Sequence, residues 1–280
     1  MSDLILVKGC LNDSDMTLFD HEAKLHKEVD WKLKDRSFNR IRGVFKQKLT
    51  SWELWSEHII PELTPISNQL DIGSCVANAW CDAMEILDGL DGKDFVEQLS
   101  RLWLYWLSRY LHGGTDTDDG TYIRAAAHQL TKVGIIVESD FPYEHANVFP
   151  KQVPLYLYTM ASNNRLNGFY RLTSTGPQLG DEIELAVRTN HPVVFGTIVS
   201  HPFTRYRGGG EVWSIPSDSI GRHAMLIVGI RYVNGQRQFL IRNSWGKEWG
   251  DHGHAWVTEE YITSPETQDL WVGTFCSPLV

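Results

Sequence analysis

Between residues 74 and 133 the apolar positions recur at helical spacing, and after residue 190 they do not. In "SCVANAWCDAMEILDGL" the apolar set Val76, Ala79, Trp80, Ala83, Met84 and Leu87 falls on one face of a helix, with Ser74 placed as its cap. A second helix is predicted from Phe95 to Leu111, stopped by Gly113-Gly114. A third is predicted from about Thr121 to Val133, ending at Gly134, and a short one at Asp181–Arg188. The stretches at 192–199, 223–233, 238–245, 253–262 and 271–276 read as strands. Asn234-Gly235 is a strong turn signal joining two of them. Helices first and strands later give an α+β class, with a helical half and a β half.

The first fifty residues follow neither pattern. Leu4–Val7 reads as a short strand, 17–33 as a polar helix, and 32–48 as a basic run, so residues 1–50 are assigned to an N-terminal extension and 51–280 to the main domain. Pro61 and Pro65 keep the intervening segment extended. A net charge of −9 argues against a nucleic acid or an anionic membrane as partner. No apolar run has the length of a membrane span. The start lacks a standard signal peptide, which leaves cytoplasmic residence or a non-standard export route. The four cysteines, Cys10, Cys75, Cys81 and Cys276, are too few for a disulfide framework, and a Cys10–Cys276 pair stays open.

Cys75 is the position with chemistry. In the first turn of a helix it meets unpaired amides and the positive end of the helix dipole, a setting that favours thiolate. His223 opens one predicted strand and Asn243 ends the next. The hairpin between them would bring the two together, with the Asn243 carboxamide oxygen fixing one imidazole nitrogen and the other left to exchange a proton with Cys75. Metal readings are weaker. The "HGGTDTDDG" loop has its glycine one place early for calcium, and His252 with His254 lack an upstream cysteine pair for zinc.

"GSC" at 73–75, "HAMLIVGI" at 223–230 and "RNSWGKEWGDHGHAWV" at 242–257, in that order, resemble the motifs of papain-like cysteine peptidases. "DDGTYIRAAAHQLTKVGIIVESDFPY" at 118–143 and the stretch before His223 resemble the same family, so the likeness spans roughly 61–276. The resemblance implies a two-lobed fold, with a helical lobe at about 61–150 and a β lobe at about 151–280. It implies that Cys75 is the nucleophile, His223 the base and later the acid, and Asn243 the group that orients the ring. Gln69 would supply a side-chain donor to the oxyanion hole beside the Cys75 amide. Trp245 would shield the His223–Asn243 bond, while Gly73 and Gly120 would face the substrate backbone. Peptide or protein would be the substrate, with no metal or organic cofactor required. Residues 1–50 would be a prosegment lying in the cleft, the alternative being an accessory strand and helix packed on the back. Two further readings keep the triad: a transpeptidase, amidase or deamidase, and an inactive binding protein. Departures from the family pattern are Ile72 in place of a cysteine, Val76 in place of an aromatic, Leu70 in place of glycine, and Arg222 before the histidine, where its cation would disfavour imidazolium while favouring thiolate, two effects that oppose each other.

Overall fold

The computed structural model describes residues 10–11, 37–38, 57–62, 64–90, 96–111, 114–143 and 153–274. The predicted strand at Leu4–Val7, the helix at 17–33, Cys276 and most of the basic run lie outside these residues. In chain order the elements begin with β1 (Cys10–Leu11), β2 (Glu57–Ile59), α1 (Cys75–Gly89), α2 (Arg101–Tyr110), β3 (Thr121–Tyr122), α3 (Ile123–Lys132), α4 (Leu155–Ala161) and β4 (Gly168–Arg171). They continue with α5 (Gly176–Arg188), β5 (Val193–Val199), α6 (His201–Thr204), β6 (Val212–Trp213), β7 (Gly221–Val233), β8 (Gln236–Arg242), β9 (His254–Thr258), α7 (Glu259–Thr263) and β10 (Gln268–Thr274). The arrangement is the expected α+β one, helices α1–α3 in the first half and a large mixed sheet in the second.

The sheet runs β4-β10-β5-β7-β8-β9-β6, with β2 added to β7. β7 is its centre, pairing antiparallel with β5, β8 and β2. The hairpin between β7 and β8 turns at Asn234 and Gly235, both at positive φ (52° and 78°), which suits the two-residue turn the dipeptide signals. α1 is buried on almost every side because it lies between the other helices and the sheet: Val76, Trp80, Cys81 and Met84 are all in the core. Trp80 donates to the Ile123 carbonyl at 2.9 Å and Trp103 to that of Gly134 at 3.2 Å, so each indole is buried with its polar atom satisfied. Each such large side chain contributes about 1.5–3 kcal/mol by leaving water.

A chain of buried charges fastens α1 to the sheet. The Arg101 guanidinium of α2 pairs with Asp82 at 2.7 Å and Glu85 at 2.6 Å, both on α1. Arg242, at the end of β8, reaches across to the second Asp82 oxygen at 2.9 Å, to Glu62, and to the Pro65 carbonyl at 2.8 Å. Glu62 in turn faces His254 at 3.0 Å. Burial alone pushes Glu62 upward, but His254 and Arg242 outweigh it and hold the carboxyl below its ordinary value.

The structure moves several predicted boundaries. Helix α2 starts at Arg101, where Ser100 accepts the Trp103 amide as a cap, and Leu99 before it bridges to Val137. Thr121 and Tyr122 are strand, so the third helix starts later than expected. The predicted strand at 253–262 ends at Thr258, whose hydroxyl accepts the Tyr261 amide and starts α7. α4 and β4 were not anticipated. The Tyr158 ring of α4 packs edge-on to Trp103 at 5.1 Å. Among the described residues no helix is long and apolar enough to cross a membrane.

Candidate active site

Cys75 is the first residue of α1, and its sulfur lies 3.4 Å from the Ala224 amide nitrogen, which donates to it. Ala224 follows His223 on β7, so the thiol rests against the strand that carries the imidazole. His223 Nε2 is 2.7 Å from Asn243 Oδ1, just beyond the end of β8. That oxygen also accepts the Ser244 amide at 2.8 Å, which fixes the carboxamide with its oxygen toward the ring. Nε2 must then carry the proton, because it faces an acceptor. Nδ1 keeps its lone pair, and among the described residues it is buried with no hydrogen-bond partner. An imidazole held this way is a proton acceptor in waiting.

Trp245 stacks on the His223 ring at 4.4 Å between centroids and 22° between planes. Behind it stand Phe203 and Trp249, each within about 6.2 Å of the Trp245 ring, and Trp249 donates to the Phe203 carbonyl at 2.9 Å. The expected shield over the His223–Asn243 bond is therefore a backed aromatic wall. Arg222 does not act on the imidazole as its place in the sequence suggests. Strand alternation turns it away, to the Glu266 carbonyl at 3.3 Å.

Gln69 lies in the loop before α1. Its amide nitrogen donates to the Ile72 carbonyl at 2.9 Å and its oxygen accepts the Ser244 hydroxyl at 2.7 Å. These two contacts fix which way the amide faces and leave its second hydrogen for another acceptor. Tyr143 steadies the same loop, its hydroxyl 3.0 Å from the Gln69 carbonyl and 2.5 Å from the Ser74 hydroxyl. Ser74 occupies the cap position, but its hydroxyl is taken up by Tyr143 and by Asn78 at 3.0 Å, so no side-chain cap bond forms. Leu70 stands at φ 52°, a left-handed conformation that glycine adopts without cost, and its side chain is exposed. The Gly73 amide donates to Asp118 at 3.0 Å, and the Gly120 amide donates to the Tyr105 hydroxyl at 3.1 Å. Asp118, Tyr105, Tyr143 and Ser244 were missed by sequence reasoning. Asp118 and Tyr143 stand at the two ends of the family-like segment 118–143 and Ser244 lies within the motif 242–257, whereas Tyr105 falls in none of them.

The Cys75 thiol and the His223 ring are fully enclosed, at 0% exposure each. Burial pushes the Cys75 thiol up to about 12, against the Ala224, Val76 and Cys75 amides that stabilise its anion. Burial likewise pushes His223 down to about 4, opposed only by Asn243. Burial thus opposes the thiolate expected from the helix terminus, and both shifts favour the neutral thiol and the neutral imidazole. At the edge of this enclosure β1 runs parallel to β3, Cys10 opposite Thr121 and Leu11 opposite Tyr122. The Cys10 sulfur fills the space a side chain on Gly196 would take, 2.9 Å from that β-carbon position, with Ile123 beside it. Gly196 pairs with Ala224, the residue whose amide holds the Cys75 sulfur. Ser37 lies elsewhere, bridged to Arg171 at the β4 edge of the sheet, with Phe38 next to it buried in the core. Among the described residues no three His, Cys, Asp or Glu side chains group as metal ligands.

The profile described as papain family cysteine protease matches residues 51–268. A peptidase C1-like protein of Acanthamoeba polyphaga mimivirus is 26% identical over 76% of this chain and 70% of its own. Mouse cathepsin R is 30% identical over 71% of this chain, which spans 58% of that relative's length. Among solved structures, Xylellain, a cysteine protease from Xylella fastidiosa, aligns with TM-score 0.69 at 26% identity over 83% of this chain and 90% of its own. The proform of the ragweed cysteine protease Amb a 11 shares the fold, with TM-score 0.67 at 18% identity over 99% of this chain and 80% of its own. With its cysteine, imidazole and carboxamide set on these elements and its sequence matching over most of its length, the chain belongs to the papain family of cysteine proteases.

Proposed function

We propose that the chain is a cysteine endopeptidase that cleaves peptide bonds through a thioester. The observation that carries this reading is the His223 ring, tied to Asn243 at Nε2 and unbound at Nδ1, on the residue preceding the amide that holds the Cys75 sulfur. Transfer of the thiol proton to Nδ1 makes the sulfur a nucleophile, and its attack on an amide carbonyl gives a tetrahedral oxyanion. The Cys75 amide and the free Gln69 hydrogen are the donors available to that oxygen. Imidazolium then protonates the leaving amine, the thioester forms, and water activated by His223 releases the acyl group. Intact mass after incubation with a peptidyl vinyl sulfone tests the reading. One adduct, lost in Cys75→Ala, is the expected result. An unmodified wild-type protein under reducing conditions would sink it in favour of a binding protein.

The same protein is proposed to be held closed by its N-terminal segment. Support comes from the pairing of β1 with β3, next to Gly120, and from the complete burial of the thiol. A chain lacking residues 1–11 removes this strand and keeps Phe38, which is buried in the core. Faster labelling of Cys75 in that variant is expected, and equal rates would refute the gate.

A further inference from the structure

The "DTDDG" segment at 116–120 is wired into the site. Asp118 accepts the Gly73 amide with both carboxylate oxygens, at 3.0 and 3.2 Å. One of those oxygens also accepts the Tyr105 hydroxyl at 2.5 Å. The Tyr105 oxygen in turn accepts the Gly120 amide at 3.1 Å. Tyr105 projects from α2 and is completely buried. One helical turn on, Arg109 lies over the Tyr105 ring at 4.2 Å and donates to the Gly114 and Thr117 carbonyls, pinning the start of the same loop. One phenol and one carboxylate thus join two backbones with different tasks. Gly73 belongs to the loop that delivers the Cys75 amide, and Gly120 to the loop beside the substrate.

We infer that Tyr105 and Asp118 are positioning residues for the hydrolysis, fastening the loop that leads into Cys75 to the loop that carries Gly120. The inference rests on the peptidase reading. A carboxylate accepting a backbone amide is a strong bond, and removing the buried phenol takes one donor from Asp118 and the acceptor from the Gly120 amide. Neither side chain touches the reacting atoms, so their effect passes through geometry. A displacement of about 1 Å at such a site costs on the order of a hundredfold in rate. Asp118 has a second, separable effect. Its charge lies close enough to Cys75 to oppose thiolate formation. The other ionisable groups facing it are Tyr105 and Arg109 from α2 and Tyr143. On its own loop, Asp116 and Asp119 face Arg109.

The test uses the chain with its N-terminal strand removed and active sites counted by vinyl sulfone titration. Asp118→Ala should lower kcat per titrated site by about tenfold or more with little change in KM. Tyr105→Phe, acting through Gly120, should chiefly raise KM. Asp118→Asn keeps an acceptor for Gly73 and should recover most of what Asp118→Ala loses. It should also shift the pH midpoint of Cys75 alkylation by iodoacetamide downward, which a purely structural residue would not do. Wild-type kcat and KM per site in Tyr105→Phe and Asp118→Ala, or an unmoved midpoint in Asp118→Asn, would overturn the inference. Absence of turnover in the unsubstituted protein would overturn the peptidase reading and this inference with it.

Discussion

Acid should loosen this protein through His223. The ring is fully buried and its pKa falls from 6.5 to about 4, burial outweighing the Asn243 bond. The unfolded chain therefore binds this proton more readily than the folded one between those two values. Stability from this group is complete above about pH 6.5, is lost as pH falls toward about 4, and is constant below. Two and a half units correspond to about 3 kcal/mol, a large share of the 5–15 kcal/mol typical of a folded domain. Urea unfolding at intervals from pH 7.5 to 4.5 measures the slope. His128, also lowered to about 4 by burial and by Lys132 and Arg124, contributes a slope of the same sign, so the comparison must be with His223→Gln. The wild type should lose about 2–3 kcal/mol more than the variant over this range. Parallel curves would refute the reasoning, because they would mean that the enclosed ring is hydrated in solution. Labelling of Cys75 adds a local readout, since a chain lacking residues 1–11 should show a smaller acid dependence if the strand helps enclose the ring.

Other changes have definite directions. Arg242→Met leaves Glu62 without its guanidinium and Asp82 with Arg101 alone, and should cost about 3–5 kcal/mol in urea unfolding. Leu70→Gly relieves a left-handed backbone at little loss of burial and should gain about 0.5–1 kcal/mol by the same assay. Trp245→Ala exposes the His223–Asn243 pair to water, so NMR titration should find the imidazole charging at higher pH than in the wild type. Glu62→Gln should flatten the loss of stability below about pH 4, because the depressed Glu62 carboxyl stabilises the fold only while it is ionised.

The nearness of Cys75, His223 and Asn243 to one another could be read from sequence because each carries a local signal. Cys75 follows a Gly-Ser pair at a helix start, and His223 and Asn243 flank a hairpin that Asn234-Gly235 announces. Strand identity in β5, β7 and β8 was legible for the same reason: these are short apolar runs bounded by turns. α4 was not legible. "LYLYTMA" leaves Leu155 and Tyr156 exposed, so no apolar stripe marks it as a helix. The rise in the Cys75 pKa was not legible because a helix terminus is a local feature, whereas the burial that opposes it depends on segments far apart in the chain. Asp118 was passed over because its partners, Gly73 and Tyr105, come from elsewhere in the chain and have no mutual spacing to read.

Gly196 matters for what it lacks. A hydrogen stands where any other residue would place carbon, and the sulfur of Cys10 occupies the resulting notch. Exchange for alanine would evict that sulfur by steric contact alone, with no charge altered and no hydrogen bond removed. How closely that sulfur is seated is therefore written partly on the receiving strand, at a residue remote in the chain from Cys10.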